Sequence, residues 1–361
     1  MRITFFGLTL SSSWGNGHAT PLRAIIRALD RMGHEVTFFE RDVSYYAQHR
    51  DLPTPSYCKL RFYDDWLAVR RAALAAARES DAIITTSFLP DGAAVLGELL
   101  AVEGPLRVYY DLDTPVTLSR WARGGPVEYV TPEQLAEFDL VLSFTGGRTL
   151  TELDAYGVRA RAAIYGCVDP DVHFRTAPVE RFANEFSYLG TYSPDRQHKL
   201  DTLFFEAART LPERKFLVVG SLFPEGLDWP QNVWYQPHLA PNDHAAFYSS
   251  SRATLNITRG EMAAYGHCPS GRFFEAAACG TPLITDSFPG LEEFFDPDSE
   301  VLVAQETKDA VCALRLQDPE LVHIARAARE RTLDEHTGMV RARQMVAAFE
   351  SARSRRFAEA A

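Results

Sequence analysis

The most informative stretch of this chain is Pro269-Ser270-Gly271-Arg272-Phe273-Phe274-Glu275-Ala276-Ala277-Ala278-Cys279-Gly280-Thr281-Pro282. The pattern predicts a short helix, because Ser270 and Gly271 favour a helix start and Gly280 suits the left-handed residue that follows a helix end. Pro282 prevents the helix from continuing. The apolar residues that follow, 283–285, predict a short buried strand.

The start of this predicted helix is a candidate site for a phosphorylated ligand. The first amides of a helix have no partner inside the helix and bind anions. Glu275 lies about one turn further along, where its carboxylate can accept hydrogen bonds from ribose hydroxyls. The stretch therefore fits a nucleoside diphosphate. It also fits an ordinary helix–strand unit in which Glu275 is only a surface acid, and both interpretations stay open at this point.

Composition and charge exclude several classes of protein. The chain has 361 residues, enough for two domains, and its formal net charge is −11. Such a chain is not expected to bind nucleic acid or to dock on anionic lipid through charge. No apolar run reaches the ~20 residues of a membrane span. The apolar start, 1–8, predicts a buried strand rather than a signal peptide.

The use of cysteine indicates a reducing environment. The cysteines are Cys58, Cys167, Cys268, Cys279 and Cys312. None of them forms a Cys-x-x-Cys pair, so the sequence predicts neither a disulfide framework nor a zinc cage. The cytoplasm is the simplest location for such a chain.

Short apolar runs alternate with helical patterns along two halves of the chain. In the first half the predicted strands are 3–8, 35–40, 82–85, 107–110 and 140–144. After a polar segment near 167–185, the predicted strands are 186–189, 216–219, 233–235, 253–257, 283–285 and 301–303. This βαβα order predicts two parallel, doubly wound sheets. Ligands are then expected beyond the carboxyl ends of the strands.

Several blocks of the sequence resemble a known family of enzymes. The stretch from Glu275 to Pro282 is similar to the Glu-Ala-x-x-x-Gly-x-Pro element with which GT-B glycosyltransferases bind their donor. Blocks at 14–21, 110–115, 143–147, 189–192 and 255–259 resemble the CgeB-like family of glycosyltransferases, which is named for a spore maturation protein. These blocks are spread over nearly the whole chain.

The resemblance implies a complete domain organisation. The expected fold is α/β of the GT-B type, in which two Rossmann-like, doubly wound parallel-sheet domains face each other across a cleft. Residues 1–170 are expected to form an acceptor-binding domain and 186–335 a nucleotide-sugar-binding domain. Residues 336–361 are expected to form a C-terminal helix that crosses back to the first domain.

The candidate catalytic residues lie in the first half of the chain. The loop Gly15-Asn16-Gly17-His18 resembles the N-terminal motif of family 1 glycosyltransferases, in which the matching His is the acceptor base. His18 is predicted to be that base because imidazole titrates near neutral pH, although a ligand-contacting or a structural role stays open. Asp111 is predicted to orient the imidazole and to stabilise its protonated form.

Further loop residues are predicted to contact the acceptor or the donor sugar. They are Gly15, Asn16, Gly17, Asp113, Gly146, Gly147, Gly290, Leu291 and Glu292. For Asp113 a purely local turn is an alternative, since it precedes Thr114 and Pro115.

The predicted donor-binding residues are cations and amides in the second half of the chain. Arg196 and Lys199 match the pair with which family 4 enzymes clasp the diphosphate. Arg259 ends a predicted strand, where a guanidinium binds anions well. His267 matches a phosphate-contacting His of family 1 at a place where family 4 has Glu. The predicted diphosphate site is therefore made of Arg196, Lys199, Arg259, His267, Ser270, Gly271 and Arg272, with Glu275 on the ribose.

These inferences predict a hexosyltransferase-type GT-B glycosyltransferase that needs no metal and no cofactor. The predicted partners are a nucleotide-sugar donor, UDP-linked by preference, and an acceptor that the sequence does not identify; a homodimer stays open. The sequence also leaves open whether the transfer inverts or retains the configuration of the anomeric carbon, because only inversion needs His18 as base. Two alternatives remain: a nucleotide-sugar epimerase on the same scaffold, and a degenerate, non-catalytic GT-B protein with a structural or sugar-binding role.

Overall fold

The computed structural model describes residues 1–360, with side chains through residue 358. The expected C-terminal segment, 336–361, ends on Ala361, which lies outside the described residues. The chain forms two compact units, one from Met1–Tyr165 together with the chain from Gly338 onward, the other from Gly166–Thr337.

The first unit contains a parallel sheet of seven strands in the order β3-β2-β1-β4-β5-β6-β7. The strands are β1 (Arg2–Gly7), β2 (Glu35–Arg41), β3 (Lys59–Tyr63), β4 (Ala82–Thr86), β5 (Leu106–Asp111), β6 (Leu140–Ser143) and β7 (Arg161–Ala163). The helices between them are α1 (Ala19–Arg31), α2 (Ser44–Ala47), α3 (Trp66–Arg78), α4 (Gly92–Leu100), α5 (Thr114–Ala122), α6 (Pro132–Glu137) and α7 (Arg148–Glu152).

The second unit contains a parallel sheet of six strands in the order β10-β9-β8-β11-β12-β13. These are β8 (Asn184–Leu189), β9 (Phe216–Val219), β10 (Val233–Gln236), β11 (Ser251–Asn256), β12 (Leu283–Thr285) and β13 (Leu302–Val303). Its helices are α8 (Pro194–Leu200), α9 (Glu206–Thr210), α10 (Pro241–Ser249), α11 (Gly260–Tyr265), α12 (Gly271–Ala278), α13 (Thr307–Arg315) and α14 (Asp318–Glu335). A π-helical turn, Asp201–Phe205, joins α8 to α9.

Burial on both faces explains why the central strands are apolar runs. Every residue of β4, β9 and β12 is buried, as expected where helices cover a parallel sheet on both sides. In the second unit Phe204 packs between two strand residues, with its ring centroid 5.1 Å from Phe186 and 5.3 Å from Phe216. The two parallel sheets confirm the predicted α/β class.

Two edge strands were not predicted from the sequence. β3 carries mostly exposed residues, and β7 is only three residues long. An edge strand has one side open to solvent, so it lacks the continuous apolar run that marks a central strand.

The boundary between the units differs from the predicted end of the first domain at 170. Residues 166–170 belong to the second unit. The reason is local backbone pairing: Val168 forms a parallel bridge with Thr337, and its amide donates to the carbonyl of His336 over 3.0 Å.

The last helix, α15 (Gly338–Ala360), belongs to the first unit and packs against α1. The approach is close at its first residue. A Cβ built on Gly338 would lie 2.5 Å from the carbonyl oxygen of Ala24, which is backbone and cannot move aside as a side chain can.

We expect Gly338→Ala to lower the free energy of unfolding by about 1–3 kcal/mol, because the added methyl overpacks the contact between α15 and α1. The matched control is Gly97→Ala in α4, where a Cβ meets nothing within 4 Å. That change should be neutral or should stabilise by about 0.5–1 kcal/mol. Urea unfolding followed by circular dichroism measures both; equal midpoints for Gly338→Ala and wild type would contradict the packing described.

Candidate active site

The second sheet has a switch point between β8 and β11. β9 and β10 lie on one side of β8, whereas β12 and β13 lie on the far side of β11. Where strand order reverses in this way, a crevice forms beyond the carboxyl ends of the two strands and is the usual ligand site. Gly190 follows β8, and Arg259 lies just after β11, so both occupy this position.

Three arginines at this crevice lie close enough for their charges to interact: Arg196 on α8, Arg259 after β11 and Arg272 on α12. Burial lowers the pKa of Arg196, and the charges of Arg272 and Arg259 lower it further against the opposing effect of Tyr188 and Asp195. Arg196 is 9% exposed and donates from Nη2 to the carbonyl of Thr191. Several like charges gathered on a partly buried surface favour a bound anion.

Part of this guanidinium surface has no hydrogen-bond partner among the described residues. The buried atoms concerned are Nε of Arg196 and both Nε and Nη1 of Arg272. The Arg272 guanidinium lies over the ring of Tyr188, with Cζ 5.4 Å from the ring centroid. Its Nη2 lies so near Gly190 that a Cβ there would be 2.5 Å away. Gly190 is therefore needed to admit the arginine.

The start of α12 agrees with the helix predicted from the sequence. Ser270 occupies the position before the helix, but its side chain does not cap the helix amides. The Ser270 hydroxyl instead donates to Oδ1 of Asn256 over 2.7 Å. Because Ser270 does not cap the first turn, the amides at Gly271 and Arg272 keep the character of an anion site.

Lys199 has an acidic partner that the sequence did not predict. Its Nζ pairs with Oδ2 of Asp286, which is almost fully buried after β12. The other oxygen, Oδ1, accepts from the amide and the hydroxyl of Thr258, each over 3.0 Å. Lys199 therefore also serves to neutralise Asp286, whereas its predicted role on the diphosphate stays a prediction.

His267 is packed against the loop that was predicted to contact the donor sugar. Its amide donates to the carbonyl of Pro289 over 2.7 Å, and its Nδ1 lies 2.9 Å from Oε1 of Glu293. A Cβ on Gly290 would lie 2.4 Å from that Nδ1. Leu291 is less accessible than expected for a ligand contact: its side chain is buried and its amide donates to a carbonyl of the same loop.

The neighbouring residue Glu292 has an exposed side chain.

Glu275 is buried, so the interpretation of it as a surface acid is wrong. The residue is 6% exposed, and its Oε2 lies 3.6 Å from Nδ1 of His244. Burial acts to raise the pKa of Glu275, but the nearby imidazole of His244, together with His173 and Arg272, lowers it to about 2. The carboxylate is therefore ionised at neutral pH. His244 and His173 were not singled out in the sequence, because no local pattern connects them to Glu275.

The first sheet has its own switch point, between β1 and β4. His18 lies in the loop after β1, directly before α1, and its ring centroid is 5.9 Å from that of Phe88 after β4. The side chain of Asn16 accepts from the His18 amide over 3.1 Å. A Cβ on Gly15 would lie 2.9 Å from the Tyr45 hydroxyl, whereas one on Gly17 would meet nothing within 4 Å.

Glu40, at the end of β2, holds the start of this loop. Its carboxylate is 1% exposed and accepts from the hydroxyl of Thr9 and the amides of Leu10 and Ser11, over 2.8, 2.7 and 2.9 Å. A carboxylate with several such donors is well satisfied in the interior. It therefore fixes where the chain leaves β1 on its way to His18.

The carboxylate beside His18 is Asp113, and the predicted pairing with Asp111 is wrong. Oδ2 of Asp113 lies 3.6 Å from Nε2 of His18. Asp111 instead accepts a hydrogen bond from the amide of Asp113 over 3.0 Å, and it interacts with the hydroxyl groups of Thr117 and Ser87. The turn after β5 thus points the two carboxylates to different surroundings, and Asp111 holds the loop that carries Asp113.

The burial of Asp111 makes its carboxyl group easier to protonate than that of an exposed aspartate. It is 2% exposed, and burial raises its pKa to about 6, against the hydrogen bonds from the Asp113 amide and from Thr117 and Ser87.

Gly146 and Gly147 follow β6, as predicted. A Cβ on Gly146 would lie 1.9 Å from the hydroxyl oxygen of Tyr165, so a larger residue would displace that ring. Gly147 precedes α7 with a φ of 54°, a conformation that favours glycine. Their predicted contact with a ligand stays a prediction.

A depression of about 480 Å³ lies at the opposite, amino-terminal edge of the second sheet. Its lining includes Glu185, Arg214 and Arg252. Oε2 of Glu185 lies 3.3 Å from Arg214 Nη1, and Oδ1 of Asp318 lies 2.9 Å from Arg252 Nε, so each of these arginines has an acidic partner. The arginines at the carboxyl edge are the better candidate for a diphosphate.

No helix in the described part of the chain combines the length and the apolar character needed to cross a membrane.

Residues 196–347 match the family model described as "Glycosyl transferase-like". No curated protein matches the chain significantly in sequence. The matched residues include most of the second unit, with the three arginines and Glu275.

Solved structures resemble the whole chain. Sucrose-phosphate synthase from Thermosynechococcus elongatus superposes with a TM-score of 0.67 at 15% identity, covering 98% of this chain and 99% of that one. HepE of Anabaena, solved with UDP-glucose, superposes with a TM-score of 0.66 at 17% identity, covering 97% of this chain and 100% of that one. An alpha-glucosyltransferase solved with UDP superposes with a TM-score of 0.71 at 13% identity, covering 97% of this chain and 100% of that one.

This chain has the GT-B fold. The predicted fold class is therefore confirmed, whereas the CgeB-like subfamily stays a prediction.

We expect Asp111→Asn to change how stability depends on pH. Because the folded state raises the pKa of Asp111, it binds the proton more tightly than the unfolded chain does, so this contribution is present at low pH and is lost as pH rises through about 6. Between pH ~4 and ~6 the free energy of unfolding of the wild type should fall by up to about 3 kcal/mol relative to that of the variant, at about 1.4 kcal/mol per pKa unit.

Urea unfolding at a series of pH values measures this difference. Asp64→Asn, at an exposed position, is the control and should give a curve parallel to the wild type. If the Asp111→Asn curve is also parallel, Asp111 does not titrate as described.

Proposed function

We propose that this protein is a glycosyltransferase that binds a nucleotide sugar, by preference UDP-linked, at the carboxyl edge of its second sheet. The observation that carries the proposal is the group of three arginines at the switch point, with guanidinium nitrogens of Arg196 and Arg272 that have no hydrogen-bond partner in the described structure. Buried donors without partners are costly, and a diphosphate satisfies them.

The parts of a nucleoside diphosphate fit the residues in order. The phosphates bind Arg196, Arg259 and Arg272 and the amides at the start of α12, in place of a metal ion. The ribose hydroxyls donate to the ionised Glu275, which lies one turn into the same helix. A Cβ on Gly271 would be 3.7 Å from Oε1 of Glu275, so this oxygen faces the start of the helix, where the phosphates bind.

The arginines also explain how the reaction is accelerated. When the bond between the anomeric carbon and the diphosphate oxygen breaks, negative charge grows on the leaving diphosphate. Fixed cations and helix amides stabilise that charge more strongly in the transition state than in the ground state, which is the requirement for catalysis.

For the acceptor we assign His18 as general base and Asp113 as its positioning residue. Nδ1 of His18, the ring nitrogen that does not face Asp113, takes the proton of the acceptor hydroxyl as that oxygen bonds to the anomeric carbon and the bond to the diphosphate breaks. The carboxylate of Asp113, 3.6 Å from Nε2, stabilises the imidazolium that forms. Family match and fold support transfer, and the UDP and UDP-glucose named for the related structures support the choice of uridine.

We expect UDP to raise the melting temperature of the protein, by mass action worth about 2.7 kcal/mol at a hundredfold excess over the dissociation constant. Arg272→Gln should weaken UDP binding by about 10- to 100-fold, because a charged hydrogen bond to phosphate is worth ~1.5–3 kcal/mol. Isothermal titration calorimetry with UDP, GDP and dTDP measures affinity and base preference.

The control for this measurement is Arg326→Gln. Arg326 is two-thirds exposed on α14 and contacts only Glu330 of its own helix among the ion pairs described. It should leave UDP affinity unchanged. Absence of binding for all three nucleotides would refute the proposed function, and equal affinity in wild type and Arg272→Gln would refute the assignment of the site.

A second test separates chemistry from binding. We expect His18→Ala and Asp113→Asn to lower the rate of UDP release from UDP-sugars by about 100-fold or more, since general-base catalysis contributes 10²–10⁴-fold. Their affinity for UDP should stay that of the wild type. Asp30→Asn, at an exposed position of α1, is the control.

Rates close to wild type in both His18→Ala and Asp113→Asn would rule out the proposed base. Conversion of the donor into an isomeric nucleotide sugar without an acceptor would identify an epimerase instead. Nucleotide binding with no turnover of any UDP-sugar would identify a non-catalytic protein.

A further inference from the structure

Three residues that are far apart in the second unit's sequence converge at one point. His173 lies in the segment before β8, His244 on α10 and Glu275 on α12. His173 and Glu275 are buried and the side chain of His244 is 12% exposed, and one ligand atom of each lies within 4.8 Å of the other two.

The backbone holds each of the three in place. The Asp169 carbonyl accepts from the amides of Val172 and His173, over 3.0 and 2.8 Å, which forms a tight turn that ends on His173. His244 and Glu275 are in helices that contact each other, α10 and α12. The three side chains thus come from a fixed turn and two rigid helices, as a preorganised site requires.

The distances between the converging atoms are too long for good hydrogen bonds. Nε2 of His173 lies 3.4 Å from Nδ1 of His244, and the same Nδ1 lies 3.6 Å from Oε2 of Glu275. Ordinary N–H···O bonds measure about 2.7–3.2 Å. In addition, Nδ1 of His244 carries at most one proton, so it cannot donate well to both neighbours.

The same distances fit the ligands of a metal ion. Zinc binds imidazole nitrogen and carboxylate oxygen at about 2.0–2.2 Å, which places two ligands of a tetrahedral ion about 3.3–3.6 Å apart. The donor set favours zinc or a similar transition metal, because Mg²⁺ and Ca²⁺ prefer oxygen ligands.

A neighbouring tyrosine, Tyr248, is a candidate partner for a water molecule on such a metal ion. Tyr248 lies one turn after His244 on α10, with ring centroids 6.3 Å apart, and interacts electrostatically with Glu275. Its hydroxyl is buried and has no hydrogen-bond partner among the described residues. A water on the metal would give it one.

We propose that Nε2 of His173, Nδ1 of His244 and Oε2 of Glu275 bind one Zn²⁺ ion, with water as the fourth ligand. The ion would hold the Glu275 carboxylate by one oxygen and leave Oε1 towards the start of α12. The site is structural and separate from the arginines proposed to bind the diphosphate. It does not depend on the proposed function, because the ion needs no nucleotide.

The test uses the full chain without a histidine tag, stripped of metal with a chelator. Co²⁺ is titrated in and its visible absorption followed, and Zn²⁺ affinity is then measured by competition with a chromophoric chelator, with no nucleotide present. We expect about one ion per chain. His173→Ala and His244→Ala should each weaken binding by at least ~10-fold, since even indirect ligand partners are worth 10- to 100-fold.

The matched control is His323→Ala, at an exposed position of α14, which should bind like the wild type. Circular dichroism checks the fold of each variant. If His173→Ala does not fold, His244→Ala and the nearly isosteric Glu275→Gln decide the matter. Failure of the wild type to bind a stoichiometric ion, or wild-type affinity in the folded ligand variants, would overturn the proposal.

The two proposals fail in different ways. A protein that binds UDP but no metal would retain the proposed function and lose the zinc site, whose three residues would then form a buried polar cluster. A protein that binds metal but no nucleotide would show the reverse.

Discussion

Parallel pairing of strands is the constraint on which the rest of this structure depends. In a parallel sheet all carboxyl ends lie at one edge, so the loops that follow the strands meet there. At the switch point between β8 and β11 the connecting chains leave in opposite directions and open a crevice. Gly190, Arg259 and the start of α12 share that edge for this reason, although they are far apart in the chain.

The cations at that edge differ in whether the protein itself supplies a partner for them. Lys199 is matched by Asp286, a carboxylate that is itself held by two donors of Thr258. The arginines at 196 and 272 instead keep buried nitrogens without hydrogen-bond partners in the described structure. Buried donors of this kind are costly unless a ligand satisfies them, so these two arginines are better candidates for an anion site than Lys199 is.

The surroundings of three carboxylates likewise give them different pKa values and different contacts. Asp111 is enclosed, its pKa is raised to about 6, and it holds a turn. Asp113, two residues later, lies beside the imidazole of His18. Glu275 is also enclosed, but imidazoles and a guanidinium lower its pKa to about 2. The surroundings of each carboxylate, rather than its residue type, decide whether it positions the backbone or carries charge.

The central strands of both sheets and the helix α12 could be predicted from the sequence alone. Buried apolar runs such as 216–219, and the Gly280 and Pro282 that end α12, are local signals that need no partner to be recognised. That Asp113 and not Asp111 lies beside His18 could be seen only in the folded chain, because the turn after β5 sets the positions of the two side chains. Only the tertiary structure also brought together His173 and His244, which are 71 residues apart. Contacts between distant segments depend on how helices pack on a sheet, and no periodicity along the chain records them.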